Sequence, residues 1–187
     1  MEGYSYKMLR TSDQFRLGGA NSEVSNLLKW FRKCQTETNP LLLLLWRYLF
    51  RSSKNKRMIE IYGKCNIGPG LYLGHAYAIT INSEAIIGAN CNIHKGVTIG
   101  QENRGKRKGV PTIGNCVWIG VNATVVGKIN IGDDVMIAPN TFVNCDIPSH
   151  SIVFGNPCVI VHRDNATEEY INNKYSIPGE ESIGNIN

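Results

Sequence analysis

The chain has 187 residues, which fits one main folding unit with room for a small appendage. Its 42% hydrophobic content argues against wholesale disorder, and 19 glycines imply many tight turns. Twenty Lys and Arg against fifteen Asp and Glu leave a formal charge of +5, which suits a small anionic ligand such as a phosphate-bearing cofactor. No aromatic-interleaved basic motif or zinc-finger spacing accompanies that charge, so no nucleic-acid partner is expected.

Residues 1–20 are polar and weakly periodic, and read as an arm that docks on the body or on a neighbouring subunit. A helix is expected from Asn21 or Ser22, because Val24, Leu27, Leu28 and Phe31 recur at i, i+3, i+4 and i+7. Asn39-Pro40 reads as a cap followed by proline in the first turn of a second helix. That helix carries Leu41 to Trp46, Tyr48 and Leu49, then turns basic at Arg47, Arg51, Lys54, Lys56 and Arg57, where cations complement the helix dipole. Leucine around most of its first turns predicts heavy burial, against the body or in a subunit interface. The same apolar run is too short to cross a bilayer and lies too far inside the chain for a signal peptide, so no transmembrane segment is expected. The six cysteines are scattered without a CxxC pair, which argues against a zinc site or disulfide framework and for a cytoplasmic protein with reduced thiols.

The pattern changes near Ile61. Aliphatic residues recur every six positions through Ile67 and Leu73, then Ile81, Ile87, Ile93 and Ile99, and again from Ile113 through Ile119, Val125, Ile131 and Ile137 to Val143. Glycine often follows the aliphatic residue, and a small or aliphatic residue sits four after it, as at Ala85, Cys91, Val97, Val117, Ala123 and Val135. Neither helical periodicity nor simple alternation reproduces this register. It predicts a mainly β fold, a parallel β-helix whose short strands stack aliphatic on aliphatic and whose coils need their neighbours. Cys91 then becomes a small buried hydrophobe.

Two interruptions mark candidate functional ground. Leu73 to Ile81 is two residues too long, around His75 to Ile79, and Ile99 to Ile113 is eight too long, around Gln101 to Pro111. The second excursion is rich in glycine and cations, including Arg104, Lys106, Arg107 and Lys108. After Val143 come Ile147-Pro148-Ser149-His150, Phe154-Gly155-Asn156-Pro157 and one more apolar run. A helical turn is expected over 168–173, with the last residues frayed.

Of four histidines, His75 is the best candidate for chemistry, because it stands between glycine and alanine at the two-residue insertion. Transfer of an acyl group from a thioester to a hydroxyl needs a base near neutral pKa and donors for a developing oxyanion, and histidine meets the first need. Glu84 and Asp13 are candidates to orient its ring. No Gly-x-Ser-x-Gly, phosphate-loop or dinucleotide fingerprint is present.

Residues 70–76 (GLYLGHA), 92–100 (NIHKGVTIG) and 153–157 (VFGNP) resemble the hexapeptide-repeat acyltransferases, in particular the serine acetyltransferase-like branch that includes polysaccharide-associated O-acetyltransferases. The resemblance spans roughly residues 39–162. It implies left-handed coils, a homotrimer with active sites between neighbouring β-helices, acetyl-CoA as co-substrate without a metal, and His75 as general base. It implies acceptor contacts from His94, Tyr77 and Arg104. It also implies cofactor contacts from Lys106, Lys108, Gly120, Ala123, Ala138, Asn156 and Pro157. The corresponding divisions are 1–60 for the arm and helical segment, 61–165 for the β-helical acyltransferase domain, and 166–187 for the tail.

The chain departs from serine acetyltransferases at Gly74, where they place an aspartate, and at Val110, where they place a second histidine. Its helical N-terminal segment is also short. Loss of groups that would meet a charged amino acid favours a sugar or glycan hydroxyl as acceptor, with serine as the alternative and an inactive β-helical scaffold behind both.

Overall fold

The computed structural model describes residues 4–19 and 22–178. Three helices precede fourteen short strands. Helix α1 (Tyr6–Arg16) starts at Ser5, whose side chain accepts from the Met8 N–H. Helix α2 (Glu23–Thr36) is capped by Ser22, and α3 (Pro40–Asn55) by Asn39 with proline in its first turn, as the sequence predicts.

The first coil contributes β1 (Asn66–Ile67), β2 (Tyr72–Gly74) and β3 (Thr80–Ile81), and the second β4 (Ile86–Ile87), β5 (Asn92–His94) and β6 (Thr98–Gly100). The third holds β7 (Thr112–Ile113), β8 (Trp118–Ile119) and β9 (Thr124–Val126), and the fourth β10 (Asn130–Ile131), β11 (Val135–Ile137) and β12 (Phe142–Val143). Strands β13 (Ser151–Phe154) and β14 (Val159–His162) close the chain as an antiparallel hairpin. Each turn of chain visits three parallel sheets in order: β1-β4-β7-β10, then β2-β5-β8-β11-β13 with β14 at the edge, then β3-β6-β9-β12. This is a left-handed parallel β-helix, the fold of the solved structures compared below.

The six-residue spacing places one aliphatic side chain per strand inside the coil. Leu73 pairs with Ile93, Ile93 with Ile119, Ile119 with Ile137, and Ile137 with Val153, and all five are buried. Parallel columns run through Ile67, Ile87, Ile113 and Ile131, and through Ile81, Ile99, Val125 and Val143. Burial of each such side chain contributes roughly 1.5–3 kcal/mol, so the columns dominate the stability of the body. Cys91 and Ala123 fill padding positions with 0% exposure.

Three expectations for the flanking segments need correction. Residues 6–16 are a helix and not an irregular arm, and the helix docks on the chain's own body. Its buried face is polar, formed by Ser12, Asp13 and Arg16 beside Leu9, so hydrophobic periodicity could not announce it. Helix α3 buries only Phe50 fully; Leu43 packs partly against the core, but Leu41 and Leu44 are 76% and 62% exposed, so the expected heavy burial of the leucine run is not met within one chain. The helical turn expected over 168–173 lies a few residues earlier: 164–170 form consecutive turns, with the Ile171 N–H donating to the Thr167 carbonyl at 3.0 Å, and the segment is pinned. Asp134 accepts from the Ala166 and Thr167 N–H groups and from the Thr167 hydroxyl, while Asn90 exchanges two hydrogen bonds with the Tyr175 backbone. Burial pushes the Asp134 carboxyl up, but the bonds from Thr167, His150 and Ala166 outweigh it and hold the group below the usual carboxylate range. The expected fraying of the last residues falls at 179–187, outside the described residues.

The helices are clamped to the first coil by one buried ion pair. Arg32 donates from Nε and Nη2 to the two oxygens of Asp13 at 2.8 and 2.9 Å, and its remaining N–H groups reach the Ile67 and Gly68 carbonyls. Asp13 also accepts from the Leu71 N–H at 2.9 Å. Asp13→Ala leaves the guanidinium buried and unpaired, and it is expected to destabilise the protein by about 3–5 kcal/mol in urea unfolding followed by circular dichroism. A loss below about 1 kcal/mol would mean that the pair is not the clamp.

Candidate active site

His75 stands at the corner between the second and third sheets, immediately after β2. The two-residue insertion makes this corner longer than those above it, and His75 adopts a left-handed backbone conformation with φ of 50°. It is exposed, and among the described residues its side chain makes no hydrogen bond. Asp13 and Glu84 do not orient it. Asp13 is consumed by Arg32 and Leu71, and Glu84 is exposed at the next corner, between the third and first sheets.

The residue before it, Gly74, pairs in register with His94 on the next coil. The His94 ring lies directly over Gly74: a Cβ there would sit 2.4 Å from Nδ1 and 2.5 Å from Cε1. The absence of a side chain at this position is thus a steric requirement set by His94. The same ring lies 4.8 Å from Trp118 and 6.3 Å from Tyr72, centroid to centroid. Burial, with a smaller contribution from the nearby His75, holds the His94 pKa below its ordinary value.

The remaining sequence candidates divide between places. Tyr77 is half exposed, and its hydroxyl rests 3.0 Å from the Met58 sulfur. Gly120 and Ala138 continue the outward column of Gly74 and His94, each following its strand's inward aliphatic residue. Gly120 is packed so closely that a Cβ would meet the Pro139 nitrogen at 2.6 Å. Ala123 is corrected: it is wholly inside the coil and cannot touch a ligand. Asn156 and Pro157, joined by a cis peptide bond, form the exposed turn of the β13–β14 hairpin. Cys158, beside them, has its sulfur 3.7 Å from that of Cys145, although all six cysteines are free.

Arg104, Lys106 and Lys108 lie on the second excursion, which is ordered by a short 3-10 turn at Gly105–Arg107 and an antiparallel bridge between Glu102 and Gly109. It leans on Lys128 and Asn144 through Arg107. A cavity of about 450 Å³ lies beneath it, with Val126 and Phe142 among its walls. This loop leaves the corner between the third and first sheets, not the corner that carries His75. One chain therefore brings His75 and His94 together but leaves the loop cations elsewhere.

Sequence reading missed Arg16, Tyr72, Asn92, Trp118 and Tyr170, which gather with His94 around a second cavity. The outward aromatics one residue before Leu73 and Ile119 were a readable signal. Arg16 reaches the Gly70 and Asn173 carbonyls, contacts across 54 and 157 residues that leave no local trace. Among the described residues no cluster of three His, Cys, Asp or Glu side chains gathers in metal-binding fashion, and no described helix is long and apolar enough to cross a membrane.

No family model matches the chain. Over 117 residues it is 34% identical to a serine acetyltransferase of Synechococcus elongatus, an alignment covering 63% of this chain and 48% of that protein. Over 106 residues it is 38% identical to the serine acetyltransferase of Helicobacter pylori, covering 57% and 62%. The chain thus spans about half to three-fifths of these relatives. Serine acetyltransferase isoform 3 of Entamoeba histolytica, solved with cysteine, superposes with a TM-score of 0.66 at 25% identity over 80% of this chain and 58% of the other. The soybean serine acetyltransferase solved with serine superposes with a TM-score of 0.70 at 23% identity, covering 84% of this chain and 70% of the other. These findings overturn the sugar or glycan acceptor expected from sequence, since the relatives are serine acetyltransferases. That expectation rested on Gly74, on Val110 and on the short helical segment; of these the His94 ring accounts for the bare Gly74.

The contact makes two predictions. Gly74→Ala should cost about 1–3 kcal/mol by thermal or urea unfolding, falling to within about 0.5 kcal/mol in a His94→Ala background, and equal costs in both would contradict the contact. Because the folded His94 pKa is depressed, its neutral form contributes fully above the unfolded value of about 6.5, and stability falls as pH drops below it. His94→Leu should flatten that part of a melting-temperature profile.

Proposed function

We propose, from its similarity to serine acetyltransferases, that this chain belongs with them and transfers an acetyl group from acetyl-CoA to the hydroxyl of serine. The observation that carries this reading is His75. An exposed imidazole with no competing partner stands at the one lengthened corner between the second and third sheets. There it accepts the hydroxyl proton as the oxygen attacks the thioester carbonyl, and returns it to the departing thiolate. Its backbone is fixed by the coil above, where the Lys95 N–H donates to the Gly74 carbonyl and the Gly96 N–H to the Tyr77 carbonyl, each at 3.0 Å.

The donor supplies an activated acetyl thioester and anionic phosphates. The second excursion suits the phosphates. Arg104, Lys106 and Lys108 are exposed, and among the described residues none lies within ion-pair distance of a carboxylate. The apolar walls at Val126 and Phe142 suit the uncharged arm of the same molecule.

His75 and the cationic loop occupy different corners of one triangular coil, so a complete site needs a second copy whose loop approaches His75. A homotrimer of side-by-side β-helices meets that need. The exposed leucines of α3 are a further surface for contact between copies.

Incubation with acetyl-CoA and L-serine should release free thiol. His75→Ala should lower kcat by about 10²–10⁴-fold. Lys106→Gln with Lys108→Gln should raise KM for acetyl-CoA and leave kcat nearly unchanged. Serine turnover that survives the loss of His75 would sink the reading.

A further inference from the structure

The outward face of the second sheet carries a cavity of about 420 Å³ that the proposed transfer does not use. Tyr72, Asn92, His94 and Trp118 come from the strands, Arg16 from the end of α1, and Tyr170 from the pinned C-terminal segment. Three stretches far apart in sequence thus build one polar site.

Two independent features of this site call for an oxyanion. The first is charge. Arg16 is 5% exposed, and its guanidinium donates only to neutral oxygens: the Gly70 carbonyl at 3.2 Å, the Asn173 carbonyl at 2.7 Å and the Asn92 side chain. Among the described residues no carboxylate lies within ion-pair distance of it. Asp13, three residues before it on α1, is already bound by Arg32. One carboxylate against two guanidiniums leaves a buried positive charge without a counter-ion, a costly arrangement unless something anionic joins it. Three of the five guanidinium N–H groups are engaged, which leaves two.

The second feature is His94. Its Nε2 is fully buried and, among the described residues, has no hydrogen-bond partner. As the Nε2–H tautomer it is a donor without an acceptor, and an unsatisfied buried donor normally marks a missing group. Trp118 sits between the two flanks of the site, tilted against His94 at 4.8 Å and edge-on to Tyr170 at 5.0 Å between centroids, an apolar wall for a small organic body.

We propose that this cavity binds a small organic carboxylate, whose oxygens accept from His94 and from the free N–H groups of Arg16. The site does not depend on the acetyl-transfer reading, and its test contains no acetyl donor. Acetate, L-lactate and benzoate, with lactamide as the neutral control, would be titrated into the full-length protein by calorimetry at constant ionic strength. At least one carboxylate should bind saturably while lactamide does not.

His94→Leu keeps the bulk of the ring and removes the unpaired nitrogen. It should melt no lower than the parent yet bind the carboxylate about tenfold or more weakly. Arg16→Gln should also lose binding; because Arg16 holds α1 in place, the well-folded His94→Leu carries the decision if that variant does not fold. No saturable binding by any of the three carboxylates, equal binding of lactamide, or unchanged affinity in His94→Leu would overturn the proposal.

Discussion

The structure depends on how closely one coil lies on the next. At the corner entering the second sheet, a Cβ on Gly68 would lie 2.8 Å from the Gly88 backbone, and one on Gly88 would lie 2.5 Å from the Gly114 carbonyl oxygen. On Gly114 it would meet Asp133 at 2.3 Å, and on Gly132 the Ser149 nitrogen at 2.4 Å. This column admits no side chain, and it fixes the spacing at which the aliphatic columns touch and the parallel ladders close. Interiors packed this tightly transmit a local change to the next layer, which is why the repeat is strict wherever the chain has no other task.

Against that rigid stack, the proposed chemistry falls at the departures. The insertion after β2 lifts His75 out of the repeat while the coil above holds its corner by backbone hydrogen bonds. The His94 ring replaces a small outward residue and occupies the space over Gly74, so two imidazoles share one end of the second sheet. The cationic excursion leaves from another corner. This division makes contact between copies a requirement of the proposed chemistry and not an ornament.

The sequence revealed what periodicity can reveal. The β-helix, both insertions, the caps at Ser22 and Asn39 and the burial of Cys91 were all legible, because each is written in residues near one another. Helix α1 was not, since its buried face is Ser12, Asp13 and Arg16 and its partners lie in α2, the first coil and the C-terminal segment. Nor was the cause of Gly74, because the ring that excludes a side chain there stands 20 residues later and one coil higher. Reading the glycine as a lost substrate contact, together with Val110 and the short helical segment, led to the overturned sugar acceptor. Ala123 was misplaced for a simpler reason: padding positions alternate with outward ones, and a shift of one residue moves a side chain from ligand to core.

The proposed reaction moves acetyl from a thioester to the serine oxygen at the His75 corner. The most direct test uses acetyl-CoA labelled with carbon-13 in the acetyl group, L-serine and the full-length protein, with the product followed by NMR from the earliest time points. An acetyl ester on the serine hydroxyl should form first and fail to form with His75→Ala. An acetyl group appearing first on the serine nitrogen, or label that stays on the thioester, would contradict it.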